Sequence, residues 1–249
     1  MEIITSKSNQ KIVDAKKLLD KKYRDESGLF LAETKKVVLE AILAGLAPKY
    51  AFVLQGKDVS FIDAKTTIYY VNESVFKTLS STVSSDGYIA VFEKKQAKKE
   101  YIGGNFLVLD NIQNPDNFGA IMRTALATNF KQIFVVNSVD EYNPKVLRAS
   151  MGNQFKLNIV HIDYSDIENL FSNADLYVMS MEGKNLFNIK NFSKNTGFVI
   201  GNEGNGVSSQ VRKIVKNTLS IPMENGTESL NASVSASIVM YHIYSQQFG

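Results

Sequence analysis

Residues 106–136 read FLVLDNIQNPDNFGAIMRTALATNFKQIFVV, and this stretch decides the fold class. The runs FLVLD (106–110) and QIFVV (132–136) are short and apolar, as buried strands are. A helical pattern near 117–129 lies between them. A strand, a helix and a second strand in this order predict a parallel pair of strands joined by a crossover helix.

The same alternation continues to the end of the chain and predicts an α/β fold. Further strand candidates are LNIVHI (157–162), DLYVMS (175–180), GFVIG (197–201) and TLSIP (218–222). Helical patterns lie near 143–150, 164–173, 207–215 and 230–247. Strands that alternate with helices predict a mostly parallel sheet with helices on both faces. In such sheets ligands bind in the loops at the carboxyl ends of the strands.

A smaller α/β unit precedes this region. Its strand candidates are GLFLAE (28–33), YAFVL (50–54), TIYYV (67–71) and YIAVF (88–92). Ser8 or Asn9 is a candidate N-cap for a first helix that runs through Leu19, and Thr34 for a second that Gly45 closes. A third, short helix is expected near 72–79. The polar, charged segment 94–104 ends in two glycines and is typical of a linker, so we expect domains over 1–93 and 105–249.

Composition excludes several classes of site. The 249 residues include no cysteine, which rules out disulfides, thiolate nucleophiles and zinc–thiolate sites. The chain has only two histidines, His161 and His242, which are too few to favour a metal centre built of histidine ligands, and we expect no metal. No apolar run is long enough to cross a membrane, and the first residues lack the apolar segment of a signal peptide. We therefore expect a soluble, cytoplasmic protein that does not bind membranes.

Positive charge is concentrated in the first part of the chain. Residues 1–104 hold 17 lysines and arginines against 13 acidic residues, whereas 105–249 hold 11 against 12. Seven of these cations lie within 7–24, a density that can attract RNA but that also fits a solvated helix face. The whole chain has only four arginines: Arg24, Arg123, Arg148 and Arg212. An arginine in a glycine-bearing segment therefore suggests a specific role for its planar guanidinium group, which binds phosphate or carboxylate in a way that lysine cannot.

Three loops follow predicted strands and could carry chemistry. In NPDNFGAIMR (114–123), Asn117 is a candidate N-cap and Arg123 projects from the second helical turn. In IGNEGNG (200–206), three glycines surround Glu203, but the spacing matches neither a Rossmann fingerprint nor a P-loop. The negative charge of Glu203 also disfavours a phosphate cradle. Alone, these two loops equally fit a capped helix with a surface arginine and an ordinary glycine-rich turn.

The third loop is IPMENGTESLNASVSASIVMYHI (221–243). A strand runs into Pro222, a polar turn follows, and Ser229 is a candidate N-cap for the last helix. The first part of that helix is built of alanine and serine, which allow close packing. A tight core helix and a functional loop are both compatible with this pattern.

Together, in their order and location, the three loops resemble the SpoU (TrmH-type) family of RNA ribose methyltransferases in the SPOUT superfamily. The resemblance covers 105–247 and includes RASMGNQF (148–155). Residues 6–34 and 79–93 are similar to the ribosomal-protein-like RNA-binding domain of that family. Thr34 stands where the family often has glycine, and Ser85-Asp86 replace a proline–glutamine pair.

The resemblance implies a fold and an activity. The expected fold is a C-terminal, trefoil-knotted SPOUT-type parallel sheet plus a small N-terminal α/β RNA-binding domain. The expected enzyme transfers a methyl group from S-adenosyl-L-methionine (AdoMet) to a ribose 2′-hydroxyl, works without a metal, and forms a homodimer through its C-terminal domain. Ribosomal RNA is the preferred substrate and transfer RNA the alternative. A non-catalytic ribosome-assembly protein and a nucleotide-binding enzyme unrelated to RNA are the hypotheses from other classes.

The resemblance also implies roles for individual residues. The catalytic candidates are Arg123, Asn117, Glu203, Ser229 and Asn231. Asn117 and Glu203 are expected to organise Arg123 and the ribose, while Ser229 and Asn231 fix the third loop near the target nucleotide. The cofactor-binding candidates are Ile200, Gly201, Asn202, Gly206, Ile221, Pro222, Met223, Leu230 and Asn231.

Overall fold

The computed structural model describes residues 3–82, 85–226 and 228–248, which form two compact units. Residues up to Gln96 and the segment Asp140–Phe155 form the first unit. Ala97–Val139 and the residues from Lys156 onward form the second. Three residues of the segments that carry the family resemblance lie outside the described residues: Val83 and Ser84 in the stretch 79–93, and Thr227 in the third loop.

The helices and strands are numbered along the chain. Those up to the linker are β1 (Ile3–Ile4), α1 (Gln10–Lys17), α2 (Lys21–Ser27), β2 (Leu29–Glu33), α3 (Lys35–Leu43), β3 (Tyr50–Leu54), β4 (Thr67–Val71), α4 (Glu73–Leu79) and β5 (Tyr88–Glu93). The remainder are β6 (Phe106–Asp110), α5 (Pro115–Ala127), β7 (Gln132–Val136), α6 (Pro144–Ala149), β8 (Asn158–His161), α7 (Ile167–Leu170), β9 (Asp175–Asn185), β10 (Thr196–Ile200), α8 (Ser209–Ile214), β11 (Asn217–Ser220) and α9 (Ala232–Phe248).

The first unit is built on a five-stranded mixed sheet in the order β1-β4-β3-β5-β2. Successive residues of its inner strands alternate between two buried clusters, so both faces of the sheet are covered. Phe30 lies on one face, and its ring centroid is 4.6 Å from that of Tyr142 and 5.6 Å from that of Phe155. These aromatic contacts explain why Asp140–Phe155 packs within this unit, a grouping that the sequence did not indicate.

The first predicted helix forms as α1, which ends at Lys17, and a second helix that was not predicted, α2, follows it. Asn9 caps α1 as expected, because its side chain accepts a hydrogen bond from the Lys11 amide. Asp20 accepts one from Lys22 and so starts α2, which the apolar pattern did not reveal. Arg24, counted in the predicted basic patch, is 1% exposed and pairs with Asp140, so it is unavailable to RNA.

Thr34 caps α3 as predicted, but its backbone is strained. Its φ of 80° and ψ of 146° lie in a region that glycine adopts freely and a β-branched residue does not. We expect Thr34→Gly to raise the free energy of unfolding by about 1 kcal/mol, because relief of strain exceeds the loss of the cap and the added chain entropy. Urea denaturation followed by circular dichroism measures this. Thr34→Ser keeps both cap and strain and should change little; a destabilised Thr34→Gly would contradict the argument.

The second unit contains a six-stranded sheet in the order β11-β9-β10-β6-β7-β8. All of its pairings are parallel, as the alternating pattern predicted. From β6 the chain proceeds outward through β7 and β8, and it then crosses to the other side to form β9 and β10. The order therefore reverses between β6 and β10, where α/β sheets bind ligands. Helix α9 packs against α5 and β10.

Strands β9 and β11 pair irregularly. Thr218 pairs with Val178 but the next residue, Leu219, pairs with Lys184, so five residues of β9 bulge out of the ladder. A Cβ at Gly183 would lie 2.8 Å from the Thr218 backbone, so only glycine permits this close approach. The bulge comprises residues 179–183, and β9 continues to Asn185, beyond the strand end predicted at residue 180.

Two negative findings apply to the described part of the chain. No helix within residues 3–82, 85–226 and 228–248 has the length and hydropathy of a membrane span. Nor do those residues contain a group of three or more histidine or acidic side chains placed to bind a metal ion.

Candidate active site

Asp110, the last residue of β6, organises the edge of the sheet where the predicted loops meet. It is completely buried, and one carboxylate oxygen accepts hydrogen bonds from Tyr164 at 3.0 Å and from the Asn111 side chain at 2.8 Å. The other oxygen accepts one from the Ser208 amide at 2.7 Å. This buried carboxylate therefore joins the end of β6 to the loop after β10. The sequence showed Asp110 only as a strand end.

The loop after β10 closes on itself through its backbone. Asn202 and Gly206 exchange two backbone hydrogen bonds of 3.0 and 2.9 Å, and the Asn202 side chain accepts from the amides of Gly204 and Asn205. A Cβ at Gly201 would lie 2.2 Å from the Gly206 carbonyl carbon and the Val207 nitrogen. The glycines thus allow two stretches of backbone to touch, and this gives the loop a fixed shape.

Hydrogen bonds between side chains link the three predicted loops. Asn117 donates to Glu203 Oε1 at 2.7 Å, and Asn231 donates to Asn117 Oδ1 at 2.9 Å. Asn117 is almost fully buried, at 6% exposure, and it stands between the other two residues. Three residues that lie as much as 114 positions apart in the chain thus form one polar chain at the carboxyl ends of β6 and β10.

Two predicted helix caps are wrong. Asn114, rather than Asn117, caps α5, because Pro115 occupies the first helical position and the Asn114 side chain accepts from Asp116. Helix α9 is capped by Asn231 rather than Ser229, since the Asn231 side chain accepts from the amides of Ser233 and Val234. Because Asn114 is the cap of α5, the Asn117 side chain can bond to Glu203. The Asn231 side chain both caps α9 and donates to Asn117.

Arg123 lies apart from this network. Because α5 begins at Pro115, Arg123 sits in the third helical turn rather than the second. Its side chain is exposed and makes no hydrogen bond or ion pair with any residue that the structure describes. Glu203 bonds to Asn117 and Asn202 instead, so the expected arrangement of Arg123 by Asn117 and Glu203 is not present in this chain.

A cavity of about 370 Å³ opens beside the polar chain. Its volume falls in the range of small-molecule sites. Seven of the predicted cofactor-binding residues line it: Ile200, Gly201, Asn202, Gly206, Ile221, Met223 and Leu230. Of the catalytic candidates, Glu203 and Ser229 line it as well. Pro222 and Asn231, also predicted to bind the cofactor, are not among its walls, and neither are Asn117 and Arg123.

Several residues that line the cavity were not predicted from the sequence. The bulge of β9 contributes Met179, Ser180 and Met181, and the short helix α8 contributes Arg212. Glu228, in the third loop, adds a second carboxylate to that of Glu203. The apolar run 175–180 predicted a strand correctly, but nothing in it indicated that the strand would leave the ladder. Arg212 was not predicted, and the rarity of arginine in the chain is the one sequence feature that sets it apart.

Comparisons with known proteins place this geometry in a family. The family model described as the SpoU rRNA Methylase family matches residues 104–241, and that of an MRM3-like substrate binding domain matches residues 9–90. The 23S rRNA (guanosine(2553)-2′-O)-methyltransferase RlmP of Bacillus subtilis is 27% identical over 247 residues, which is 98% of this chain and 99% of that protein.

Solved structures agree with these matches. A crystal structure of an RNA 2′-O ribose methyltransferase superposes with a TM-score of 0.85 at 26% identity, covering 100% of both chains. An AdoMet-bound rRNA methyltransferase from Sinorhizobium meliloti has a TM-score of 0.89 and covers 100% of this chain and 98% of its own; at 24% identity it shows the shared fold alone. Since the SpoU model covers more than half of the sequence, the chain belongs to the SpoU rRNA Methylase family.

Proposed function

We propose that this protein transfers a methyl group from AdoMet to the 2′-hydroxyl of a ribose in ribosomal RNA. One observation carries the proposal: Asn117, Glu203 and Asn231 are hydrogen-bonded in series next to a glycine-walled cavity. Each comes from a different loop, and the three loops are those in which the resemblance to RNA ribose methyltransferases lies. The activity that the name of RlmP describes is of this kind.

The cavity has the chemistry to hold AdoMet. Its apolar side chains, Ile200, Ile221, Met223 and Leu230 among them, suit an adenine ring, and its glycines expose backbone groups for hydrogen bonding. The carboxylates of Glu203 and Glu228 complement a ligand that carries a sulfonium and an ammonium group. When bound, AdoMet supplies a methyl group already activated by positive sulfur, so the residues have only to align the acceptor and assist loss of its proton.

Arg123 is the residue that we assign to that assistance. A guanidinium stays protonated at neutral pH and therefore cannot act as a general base. Its fixed charge can hold an RNA phosphate and stabilise the negative charge that develops on the ribose oxygen. Asn117 and Glu203 hold the first two loops together, and Ser229 and Asn231 position the third loop beside the target nucleotide.

The first unit is the proposed RNA-binding part. Its resemblance to the family's RNA-binding domain covers 6–34 and 79–93, and we retain the division into a domain over 1–93, a linker over 94–104 and a methyltransferase domain over 105–249. Lys7, Lys11 and Lys16 form no ion pair with a carboxylate among the described residues, whereas Lys17, Lys21 and Lys22 do. We place the reaction in the cytoplasm, with ribosomal RNA preferred over transfer RNA.

We further propose a trefoil knot in the second unit and a homodimer formed through helix α9. Val234, Tyr241 and Phe248 recur at seven-residue spacing on one face of this helix and are 46%, 54% and 61% exposed. The Tyr244 ring contacts both Tyr241 and Phe248. Such an apolar stripe is typical of an interface. A dimer would let the exposed Arg123 of one protomer serve the site of its partner, since Arg123 bonds to no described residue of its own chain.

The dimer has a direct test. We expect the wild-type protein to sediment as a dimer and Tyr241→Lys to shift it toward the monomer, with a loss of methyl transfer, because a charge in an apolar interface is costly. Analytical ultracentrifugation measures this. Lys213→Glu, on an exposed position of α8, changes charge outside the stripe and should leave the dimer intact. A monomeric wild-type protein that is fully active would contradict the proposal.

The activity itself is tested with the purified full-length protein, tritiated AdoMet and RNA from cells that lack the gene. We expect label in ribosomal RNA, and alkaline hydrolysis should leave the phosphodiester after the labelled ribose uncut. RNA from wild-type cells, already methylated, should accept little label. Label in transfer RNA alone would assign the alternative substrate, and no incorporation into any RNA would overturn the methyltransferase proposal in favour of a non-catalytic role.

Gly201 offers a test of the cavity. We expect Gly201→Ala to lower the free energy of unfolding by about 1–3 kcal/mol and to weaken AdoMet binding, because the new methyl group would overlap backbone that cannot rotate away. Gly204→Ala is the matched control for stability, since its nearest neighbour would be the Asn202 side chain at an ordinary 3.6 Å. Urea denaturation and isothermal titration calorimetry measure the two effects. Equal stability of the two variants would contradict the close approach.

A further inference from the structure

Arg212 has no role in the proposed reaction so far, yet it lines the cavity. Among the described residues that form the walls, it alone carries a positive charge, while Glu203 and Glu228 are negative. It is also one of only four arginines in the chain. The other three are Arg24, buried against Asp140, Arg148, which bonds to Ser81, and the exposed Arg123.

The guanidinium of Arg212 is held in place with donors to spare. Its Nε donates to the Val207 carbonyl at 3.0 Å, which orients the plane of the group. Its two Nη atoms share only the Ser180 hydroxyl, at 3.4 Å each. No carboxylate of the described residues forms an ion pair with it. A fixed, forked donor without an acidic partner is suited to a carboxylate ligand.

AdoMet carries one carboxylate, on the α-carbon of its methionine moiety, beside two cationic groups. We infer that Arg212 binds this carboxylate and so makes the cavity selective for the intact amino-acid moiety. The inference rests on the proposed function, since it names a binding contact for the methyl donor. The charges correspond in number: the walls hold two carboxylates and one guanidinium, and the ligand carries two cations and one anion.

The test compares two ligands that differ only in that carboxylate: AdoMet and decarboxylated AdoMet. We expect Arg212→Met to raise the Kd of AdoMet by about 10- to 100-fold, the usual loss for a charge-assisted hydrogen bond. The Kd of decarboxylated AdoMet should stay within about twofold of the wild-type value, because that ligand has nothing for Arg212 to bind. Isothermal titration calorimetry on the full-length protein gives both constants without a measurement of activity.

Two further variants sharpen the comparison. Lys213→Met removes a positive charge from the adjacent exposed position, outside the cavity, and should leave both Kd values unchanged. Arg212→Lys keeps the charge but not the fork, and we expect an intermediate Kd for AdoMet. This second variant also preserves the test if Arg212→Met does not fold, which thermal unfolding would reveal.

Three results would overturn the inference. Equal weakening of both ligands by Arg212→Met would mean that the arginine supports the nucleoside end or the cavity shape. No change for either ligand, with a raised KM for RNA, would assign Arg212 to an RNA phosphate. Equal Kd values of AdoMet and decarboxylated AdoMet for the wild-type protein would show that the cavity does not select for the carboxylate. A wild-type protein that binds neither ligand would instead overturn the proposed function itself.

Discussion

Replacing Arg123 by lysine is expected to lower the rate of methyl transfer to RNA by about 100-fold, or about 2.7 kcal/mol of transition-state stabilisation. Lysine keeps the positive charge but lacks the planar fork that binds a phosphate with one edge while its remaining N–H groups face the ribose oxygen. Because the expected loss concerns charge that develops during the reaction, it should appear in kcat more than in KM. Single-turnover transfer of tritiated methyl groups to unmethylated RNA measures it.

The binding of AdoMet provides the control for that variant. Arg123 is not part of the cavity wall, so Arg123→Lys should bind AdoMet with the wild-type Kd. It is also exposed and without a partner among the described residues, so stability should not change. If turnover of Arg123→Lys is nearly intact, any arginine-specific role is lost, and a simple attraction between a cation and RNA is sufficient.

The largest loss of stability is expected from Arg24→Met, at about 3–5 kcal/mol. Arg24 donates through Nε and Nη2 to the same oxygen of Asp140, at 2.9 and 2.6 Å, inside the first unit. Its Nη1 donates to the carbonyls of Leu18 and Leu19 at the end of α1. Methionine fills much of the volume but leaves a buried carboxylate and two carbonyls without these donors.

A second variant separates the ion pair from the packing. Since both partners are buried, with side chains 2% and 6% exposed, their mutual attraction is offset by the cost of removing them from water. We therefore expect Arg24→Met combined with Asp140→Leu to be clearly more stable than Arg24→Met alone. Urea denaturation followed by circular dichroism measures both variants. A loss below about 1 kcal/mol for Arg24→Met would show that the carboxylate finds other donors or water.

The order of helices and strands could be predicted from the sequence to a large extent. Four strands have the predicted ends, because each is a short apolar run between polar residues: YAFVL, TIYYV, FLVLD and QIFVV. The failures lie at positions where a side chain decides between neighbouring candidates. Asn114 outcompetes Asn117 as a cap because Pro115 follows it, and Asp20 starts a helix in a stretch where apolar spacing alone suggested none.

Most residues of the candidate site could be predicted from the sequence, but the hydrogen bonds between them could not. The resemblance implied cofactor-binding residues in the loop that holds glycines 201, 204 and 206, and that loop lines the cavity. The link from Asn117 to Glu203 and Asn231 depends on which strands are neighbours, a property that no local pattern contains. The contributions of Met179–Met181 and Arg212 depend on a bulge in β9 and on the orientation of one guanidinium.

The alternation of strands and helices and the family resemblance could be predicted from the sequence alone, because these properties depend on residues close together along the chain. Tertiary structure alone decided that Asp140–Phe155 packs within the first unit, that Arg24 is buried, and that Arg123 stands apart from Glu203. The physical reason is that burial and pairing depend on distances between segments far apart in the chain. Those distances are set by strand order and packing rather than by any local propensity.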